Sequence, residues 1–182
     1  MKIDRALFLD RDGIINVDHG YVYKIDEFEF TEGIFELLKL FSRQGYLIFI
    51  VTNQSGIGRG YYSQKAFDVL TKWMVKTLHA HDIDIKEVQY CPHTPEENCH
   101  CRKPETGMID TILKQYVIDI EGSWMIGDKQ SDIDLARNAR IGSSIAIGDR
   151  QFQDYDYYFS TIKACTEYLE ENMGTLNDPS YS

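Results

Sequence analysis

Short apolar runs alternate with amphipathic helical patterns along most of this 182-residue chain. The runs lack the polar alternation of half-exposed strands, so they predict strands that are buried on both faces. They lie at 6–9, 47–51, 88–90, 124–126 and 144–147. Apolar residues recur at helical spacing at 34–44, 63–78, 108–116, 132–139 and 160–172. This alternation predicts an α/β fold of three layers, a Rossmann-like parallel sheet with helices on both faces.

The length of the chain fits one domain, which we predict to span 1–173, followed by a polar, disordered tail at 174–182. A formal net charge of −10 argues against nucleic acid as a partner, because no net basic surface is available to neutralise its phosphates. The sequence has neither an apolar run of about 18 residues nor a signal-peptide pattern, which predicts a cytoplasmic protein without membrane contact.

Four polar motifs occur at the ends of predicted strands or in the loops between them. They are Asp10-Arg11-Asp12-Gly13, Thr52-Asn53-Gln54-Ser55-Gly56, Arg102-Lys103-Pro104 and Gly127-Asp128-Lys129 with Asp132. Each has a structural explanation of its own: a turn, a strand-end cap, a surface basic pair and a helix N-cap. Ligands of an open α/β sheet bind beyond the carboxyl ends of its strands, where Asp10, Thr52 and Asp128 fall. The joint occurrence of the motifs therefore predicts one shared site.

The first motif suits the transfer of a phosphoryl group. A carboxylate such as Asp10 attacks phosphorus without prior deprotonation, and a divalent cation can suppress its repulsion from an anionic substrate. Asp12, two positions on, can act as acid and base. The alternative is a non-catalytic phosphate-binding or zinc-stabilised interaction module. Such a module has no need for an acidic nucleophile that faces an anion, so the pair favours an enzyme.

Three of the four cysteines crowd into one short segment, 91–101, together with a histidine. The pattern is Cys91-x-His93-x5-Cys99-x-Cys101. Three thiolates and an imidazole can fill a tetrahedral Zn²⁺ shell, which leaves no open position for catalysis. The alternative is a scatter of reduced thiols. The spacing predicts a structural zinc loop that fixes the position of the two cations that follow it, Arg102 and Lys103.

The ordered set of four motifs resembles the haloacid dehalogenase superfamily of aspartate-nucleophile phosphatases, over roughly residues 5 to 150. The resemblance implies that Asp10 becomes phosphorylated and that Asp12 protonates the leaving oxygen and then activates water. It implies Mg²⁺ bound by the Asp10 carboxylate, the Asp12 backbone carbonyl and Asp128. Thr52 and Lys103 would stabilise the phosphoryl group. Asp132 would orient either a metal-bound water or Lys103.

Within that superfamily, a zinc loop that leads into Cys101-Arg102-Lys103-Pro104 resembles two families. They are the D-glycero-D-manno-heptose-1,7-bisphosphate 7-phosphatases and the histidinol-phosphate phosphatases. The segment Asp18-His19-Gly20-Tyr21, with Ser55 and Lys129, favours the heptose family, whereas the short spacer between His93 and Cys99 is that of the histidinol family. The first resemblance implies Mg²⁺-dependent removal of the C7 phosphate in the synthesis of ADP-heptose for lipopolysaccharide core precursors. Histidinol-phosphate hydrolysis in histidine biosynthesis is the alternative.

The resemblance also implies a set of residues that contact the substrate beyond the transferred phosphate. They are Asp18, His19, Gly20, Tyr21, Asn53, Gln54, Ser55, Arg102 and Lys129. For His19 and Tyr21 the alternative is an exposed turn around Gly20. Little of the chain remains for a cap domain, so we expect a minimal cap, an open site and a small phosphorylated sugar as substrate. We expect the protein to act as a monomer.

Overall fold

A six-stranded parallel sheet forms the centre of the computed structural model, which describes residues 3–176. Its strands are β1 (Arg5–Leu9), β2 (Tyr46–Asn53), β3 (Ile85–Cys91), β4 (Trp124–Gly127), β5 (Ser143–Ile147) and β6 (Tyr157–Phe159). They lie in the order β3-β2-β1-β4-β5-β6, and all neighbouring pairs are parallel. Five strands match the predicted runs. The sixth, β6, is too short and too mixed in composition to give a periodic signal.

Helices connect the strands. They are α1 (Ile34–Arg43), α2 (Ser55–Gly58), α3 (Gln64–Ala80), α4 (Gly107–Leu113), α5 (Gln130–Asn138) and α6 (Ile162–Leu176). The sequence pattern does not predict the single turn of α2, because four residues cannot show helical periodicity. Helix α6 continues past the predicted end at 172. Of the tail predicted at 174–182, residues 177–182 lie outside the described part of the chain.

The apolar core has two halves, one on each face of the sheet. Alternate residues of β1 show the division: Leu7 and Leu9 point to one face, and Ala6 and Phe8 to the other. The first face is covered by α1, α3 and α6, and the second by α4 and α5. The strands β1, β2, β4 and β5 are thus buried on both faces, as their apolar sequences predicted. The prediction is wrong for the run at 88–90, which is only partly buried because β3 lies at the edge of the sheet, and the other edge strand, β6, is also partly exposed. The three-layer α/β fold is confirmed.

The carboxyl ends of three neighbouring strands meet at the centre of one sheet edge. Leu9 of β1 pairs with Ile50 of β2 and with Ile126 of β4. The chain moves outward from β1 to β2 on one side and returns to β4 on the other, so the strand order reverses at β1. This reversal leaves a crevice in which doubly wound folds bind ligands. The loops that follow β1, β2 and β4 all open into it.

Two irregular segments, 10–33 and 92–106, stand over this edge. Each contains a short 3-10 turn, at Ile25–Glu27 and at Pro95–Glu97. Neither builds a separate layer, in agreement with the predicted minimal cap. Within residues 3–176, none of the helices combines the length and the apolar character needed to cross a bilayer.

Two glycine substitutions should change stability in opposite directions. At Gly142, a methyl group would overlap the backbone carbonyl of Glu121, whereas at Gly174 in α6 the space is open. We expect Gly142→Ala to lower the free energy of unfolding by about 1–3 kcal/mol. Gly174→Ala should raise it by up to about 1 kcal/mol, since alanine is the better helix former. Urea denaturation measures both, and a shift of the two variants in the same direction would contradict this packing.

Candidate active site

Asp10 is the first residue after β1, and it is almost completely buried, at 4% exposure. Its backbone N–H donates to the carbonyl of Ile126 on β4 at 3.2 Å, which fixes it at the centre of the edge. Oδ1 of its carboxylate accepts from the Arg11 N–H at 2.8 Å and lies 3.0 Å from Lys103 Nζ. Burial opposes ionisation, but Lys103 and then Lys129 outweigh it and hold the pKa of Asp10 below its usual value. Asp10 is therefore an ionised carboxylate in a buried position.

Lys103 brings one positive charge into this buried edge. Its Nζ donates to Asp132 Oδ1 at 2.7 Å and to the carbonyl of Val51 at 2.8 Å, besides the contact with Asp10. Burial would lower the pKa of Lys103, but Asp10 and Asp132 outweigh that effect and raise it. The ammonium group thus stays charged with its three protons directed at three oxygen atoms.

Asp12 is held by three donors around its carboxylate. Oδ1 accepts from Arg11 Nη2 at 2.8 Å and from Asn16 Nδ2 at 3.0 Å, and Oδ2 accepts from Gln54 Nε2 at 3.0 Å. Arg11 is 1% exposed, and it also donates to the carbonyl of Val22 at 2.6 Å. No sequence pattern marks Arg11 or Asn16 as functional, because their bonds to Asp12 arise only from the way the segment 10–33 folds back on itself.

Gly13 allows the loop after β1 to turn against the loop after β4. It has φ of +87°, and a methyl group at this position would overlap the carboxylate of Asp128. A larger residue would therefore be strained in its backbone and would displace Asp128. The Asp-x-Asp-Gly turn predicted from the sequence is thus required for the carboxylates to approach one another.

The loop after β2 contributes one buried hydroxyl and two amides. Thr52 is fully buried, and its Oγ1 accepts from Gln54 Nε2 at 2.9 Å. The side chain of Asn53 makes two hydrogen bonds to the backbone of Lys103. Its Oδ1 accepts from the Lys103 N–H at 3.0 Å, and its Nδ2 donates to the Lys103 carbonyl at 3.3 Å. These two bonds fix the Lys103 segment to the end of β2.

The loop after β4 completes a cluster of carboxylates. Asp132 binds Lys103 and also accepts from the backbone N–H of Lys129 at 3.1 Å, which caps α5. Asp128 Oδ1 is buried and has no hydrogen-bond partner among the described residues. Burial and then the charge of Asp10 raise the pKa of Asp128 to about 8. Burial would lower the pKa of the nearby Lys129, but the charges of Asp10 and Asp128 outweigh that effect and raise it.

This cluster has the donors that a hard divalent cation requires. Oxygen atoms of Asp10, Asp128 and Asp132 all lie within 4.8 Å of one another. Both oxygen atoms of Asp132 are engaged, Oδ1 by Lys103 and Oδ2 by the Lys129 N–H, whereas Asp10 contacts Arg11 and Lys103 through Oδ1. Asp10 and Asp128 are therefore the carboxylates suited to hold an ion, and the unpartnered Asp128 oxygen fits that role. The Asp12 carbonyl remains a predicted third ligand.

Cys91, His93, Cys99 and Cys101 converge after β3. The Sγ atoms of Cys91 and Cys99 are 3.5 Å apart, those of Cys99 and Cys101 are 3.7 Å apart, and those of Cys91 and Cys101 are 2.8 Å apart, while Nδ1 of His93 lies 3.2 Å from Cys101 Sγ. A tetrahedral zinc site with Zn–S bonds of about 2.3 Å has edges of about 3.8 Å. Two of the three sulfur–sulfur distances are close to that edge and the third is about 1 Å shorter, and three thiols with an imidazole are a donor set that suits such a shell. Cys165 lies elsewhere, buried in α6.

A cavity of about 370 Å³ opens beside Asp12. It is lined by Asp12, Asp18, Gly20, Tyr21, Asn53, Gln54, Ser55, Tyr62, Arg102, Lys103, Lys129 and Ser131. These include all but one of the residues predicted to contact substrate. The exception is His19, whose half-exposed ring lies 2.9 Å from Glu29. Tyr62 and Ser131 also line the cavity, and no sequence pattern marks them.

Comparison with known proteins gives a consistent set of matches. A family model described as HAD-hydrolase-like matches residues 100–146. The D-glycero-alpha-D-manno-heptose-1,7-bisphosphate 7-phosphatase of Campylobacter jejuni is 44% identical over 168 residues, which are 92% of this chain and 96% of that protein. The D-glycero-beta-D-manno-heptose-1,7-bisphosphate 7-phosphatase of Helicobacter pylori is 46% identical over 148 residues, 81% of this chain and 86% of that protein.

A solved structure supports the fold. The crystal structure of D,D-heptose 1,7-bisphosphate phosphatase from B. bronchiseptica, in complex with magnesium and phosphate, matches with a TM-score of 0.82. It is 24% identical and covers 92% of this chain and 99% of its own. At that identity the match shows a shared fold.

Replacement of Asp128 by a neutral amide should stabilise the metal-free protein at pH 7. Burial and then repulsion from Asp10 raise the pKa of Asp128 to about 8, so this carboxyl must take up a proton when the protein folds at pH 7. Asp128→Asn removes that cost, and we expect the free energy of unfolding in EDTA at pH 7 to rise by on the order of 1 kcal/mol. Asp134→Asn is the matched control, because Asp134 lies on α5 and accepts from Gln130. The control should stay within about 0.5 kcal/mol of the parent. Urea denaturation measures both, and a less stable Asp128→Asn variant would contradict the repulsion.

Proposed function

This chain belongs to the D-glycero-D-manno-heptose-1,7-bisphosphate 7-phosphatases of the haloacid dehalogenase superfamily, and on that premise we propose that it removes the C7 phosphate of the heptose bisphosphate. The predicted family is thereby confirmed. The observation that carries the chemistry is the ionised Asp10 carboxylate, buried at the sheet edge with Lys103 3.0 Å away. A carboxylate in that state is a nucleophile ready to attack phosphorus.

In the first step of the proposed reaction, a carboxylate oxygen of Asp10 attacks the C7 phosphorus. The bond between phosphorus and the sugar O7 breaks, and Asp12 delivers a proton to O7, which leaves as a hydroxyl group. In the second step, water attacks the phosphorus of the aspartyl phosphate while Asp12 takes up its proton. Inorganic phosphate leaves, and Asp10 and Asp12 return to their starting states.

The buried groups around Asp10 would stabilise the charge that passes through both steps. Lys103 presents its ammonium to the nucleophile, and Thr52 presents a hydroxyl at the end of β2. A Mg²⁺ ion held by Asp10, Asp128 and the Asp12 carbonyl would supply positive charge that offsets the repulsion between carboxylate and phosphate. The unpartnered Asp128 oxygen supports that assignment.

The cavity beside Asp12 fits the rest of a bisphosphate substrate. Arg102 and Lys129 line it and would bind the second phosphate, away from the reacting one. Asp18, Gly20, Tyr21 and Ser55 would contact the sugar. We also propose a monomer that acts in the cytoplasm, where a reducing environment keeps the clustered thiols available to metal, and a place in ADP-heptose synthesis.

We propose Zn²⁺ as the ion of the Cys91–His93–Cys99–Cys101 cluster, in a structural role. Partial burial opposes ionisation of Cys99, but hydrogen bonds from the Arg102 backbone and the neighbouring thiols lower its pKa to about 7, whereas burial raises the pKa of Cys91 and of Cys101. A thiolate of Cys99 is thus accessible near neutral pH, as metal binding requires.

The second candidate function is histidinol-phosphate hydrolysis. The observation that favours it is the short spacer between His93 and Cys99.

Phosphate release from the two candidate substrates tests the proposed function. We expect a much larger kcat/KM for heptose 1,7-bisphosphate, supplied as both anomers, than for histidinol phosphate. Asp10→Asn should reduce turnover by on the order of a thousandfold or more, because the amide cannot act as the nucleophile. The variant should retain its fold and its zinc content. A preference for histidinol phosphate would reject the substrate, and full activity of Asp10→Asn would reject the covalent mechanism.

Loss of one cysteine ligand should release the structural metal. We expect Cys99→Ser to purify with substoichiometric zinc and with a reduced melting temperature, because a weaker shell no longer ties the loop together. Cys165→Ser is the control, since it also removes a thiol but lies in α6, and it should keep its zinc. Metal analysis and calorimetry measure both effects. Stoichiometric zinc in Cys99→Ser would exclude Cys99 as a ligand.

A further inference from the structure

Tyr62 is a buried tyrosine that lines the cavity beside Asp12. The proposed steps do not use it. Its ring lies against Gly56, where a methyl group would overlap it, and stacks on Tyr23 with ring centroids 5.2 Å apart. The residue is 7% exposed. Burial raises the pKa of Tyr62 to about 12, so its hydroxyl keeps its proton and remains a donor. The position of that donor is therefore fixed by the packing of the ring.

The Tyr62 hydroxyl holds one end of the Gln54 amide. It donates to Gln54 Oε1 at 2.5 Å, while Gln54 Nε2 donates to Asp12 Oδ2 at 3.0 Å and to Thr52 Oγ1 at 2.9 Å. A reversed amide would set its carbonyl oxygen against the Asp12 carboxylate, which can only accept, so the carboxylate selects the orientation in which Gln54 donates to it. Tyr62 fixes the position of that amide from its other end.

The hydrogen bonds around Asp12 identify the oxygen atom that can carry the proton. A carboxylate has about four lone-pair positions, two on each oxygen. Among the described residues, Arg11 and Asn16 occupy both positions on Oδ1, and Gln54 occupies one on Oδ2. The remaining position lies on Oδ2, the oxygen that Gln54 holds. The direction of that lone pair therefore depends on Gln54.

We propose that Tyr62 and Gln54 form a positioning pair that aims Oδ2 of Asp12 at the leaving oxygen. The inference rests on the proposed phosphatase chemistry, in which the proton passes from Asp12 to the sugar O7 as the P–O bond breaks. Gln54 is 3% exposed, and both ends of its amide are engaged within the protein. It acts on the substrate through Asp12, and Tyr62 acts through Gln54.

A double-mutant cycle tests whether the two residues act in series. We expect Tyr62→Phe to lower kcat/KM for heptose 1,7-bisphosphate about three- to tenfold, the effect of one hydrogen bond. Gln54→Met should lower it about ten- to thirtyfold, part of what a general acid contributes. The double variant should match Gln54→Met within about twofold, because Tyr62 has nothing left to orient. Losses that multiply in the double variant would overturn the series.

A comparison of leaving groups separates proton transfer from general damage to the site. The leaving group of 4-nitrophenyl phosphate departs as a stable anion, whereas that of phenyl phosphate depends more on a proton. We expect Tyr62→Phe and Gln54→Met to lower kcat/KM for phenyl phosphate several-fold and to leave 4-nitrophenyl phosphate within about twofold. Asp12→Asn should show the same selectivity more strongly. Equal losses on both esters would overturn the positioning role.

Two controls make the result interpretable. Tyr61→Phe removes a hydroxyl from the adjacent, exposed tyrosine and should keep the parent rate on both aryl esters. Thermal unfolding should show that Tyr62→Phe, which keeps the ring against Gly56, remains folded at the assay temperature. A parent protein that cleaves the aryl esters but not heptose bisphosphate would reject the proposed substrate while leaving the leaving-group comparison valid.

Discussion

The candidate active site depends on the interactions of the Lys103 ammonium group. That group is surrounded by the carboxylates of Asp10 and Asp132 and by the carbonyl of Val51, all within 3.0 Å. Asp128 stands beside them with a buried oxygen that has no partner among the described residues. Three carboxylates so close together repel one another, and burial removes the water that would screen them. Lys103, with Lys129 as the second contributor, holds the pKa of Asp10 below its usual value under these conditions. Buried ion clusters rarely add stability, so the chemistry of the site is the better explanation for this one.

The position of Lys103 is fixed from two sides. On one side, both backbone groups of Lys103 bond to the side chain of Asn53 at the end of β2. On the other side, Cys101 of the metal-binding cluster precedes it by two residues. The segment 92–106 has only a 3-10 turn of its own, so its path depends on these attachments. A structural metal would therefore contribute to the proposed catalysis by holding the segment that carries the ammonium, although none of its four candidate ligands lines the cavity beside Asp12.

Much of this arrangement could be predicted from the sequence because it follows from the sheet. Strands buried on both faces have unbroken apolar sequences, and their carboxyl ends must meet at one edge, so the strand pattern alone groups Asp10, Thr52 and Asp128. Tyr62 could not be predicted, because its role arises only where its ring meets Gly56 and its hydroxyl meets Gln54. That His19 does not line the cavity could not be predicted either, because this too depends on a contact formed only in the folded chain. Its ring lies 2.9 Å from Glu29, ten residues away in the same irregular segment 10–33, and no local pattern predicts that contact.

Two aspartates two residues apart can serve different purposes because the fold surrounds them with different partners. The charge of Asp10 is met by the full positive charge of Lys103, which favours permanent ionisation. Asp12 meets Arg11 on one oxygen and the neutral amides of Asn16 and Gln54, and its remaining lone pair lies next to the cavity. A nucleophile must keep its charge, whereas an acid and base must exchange a proton in every turnover. The turn at Gly13 and the amide of Gln54 give the two carboxylates different surroundings. The proposed division between a nucleophile and an acid and base therefore depends on the loops rather than on the carboxylates themselves.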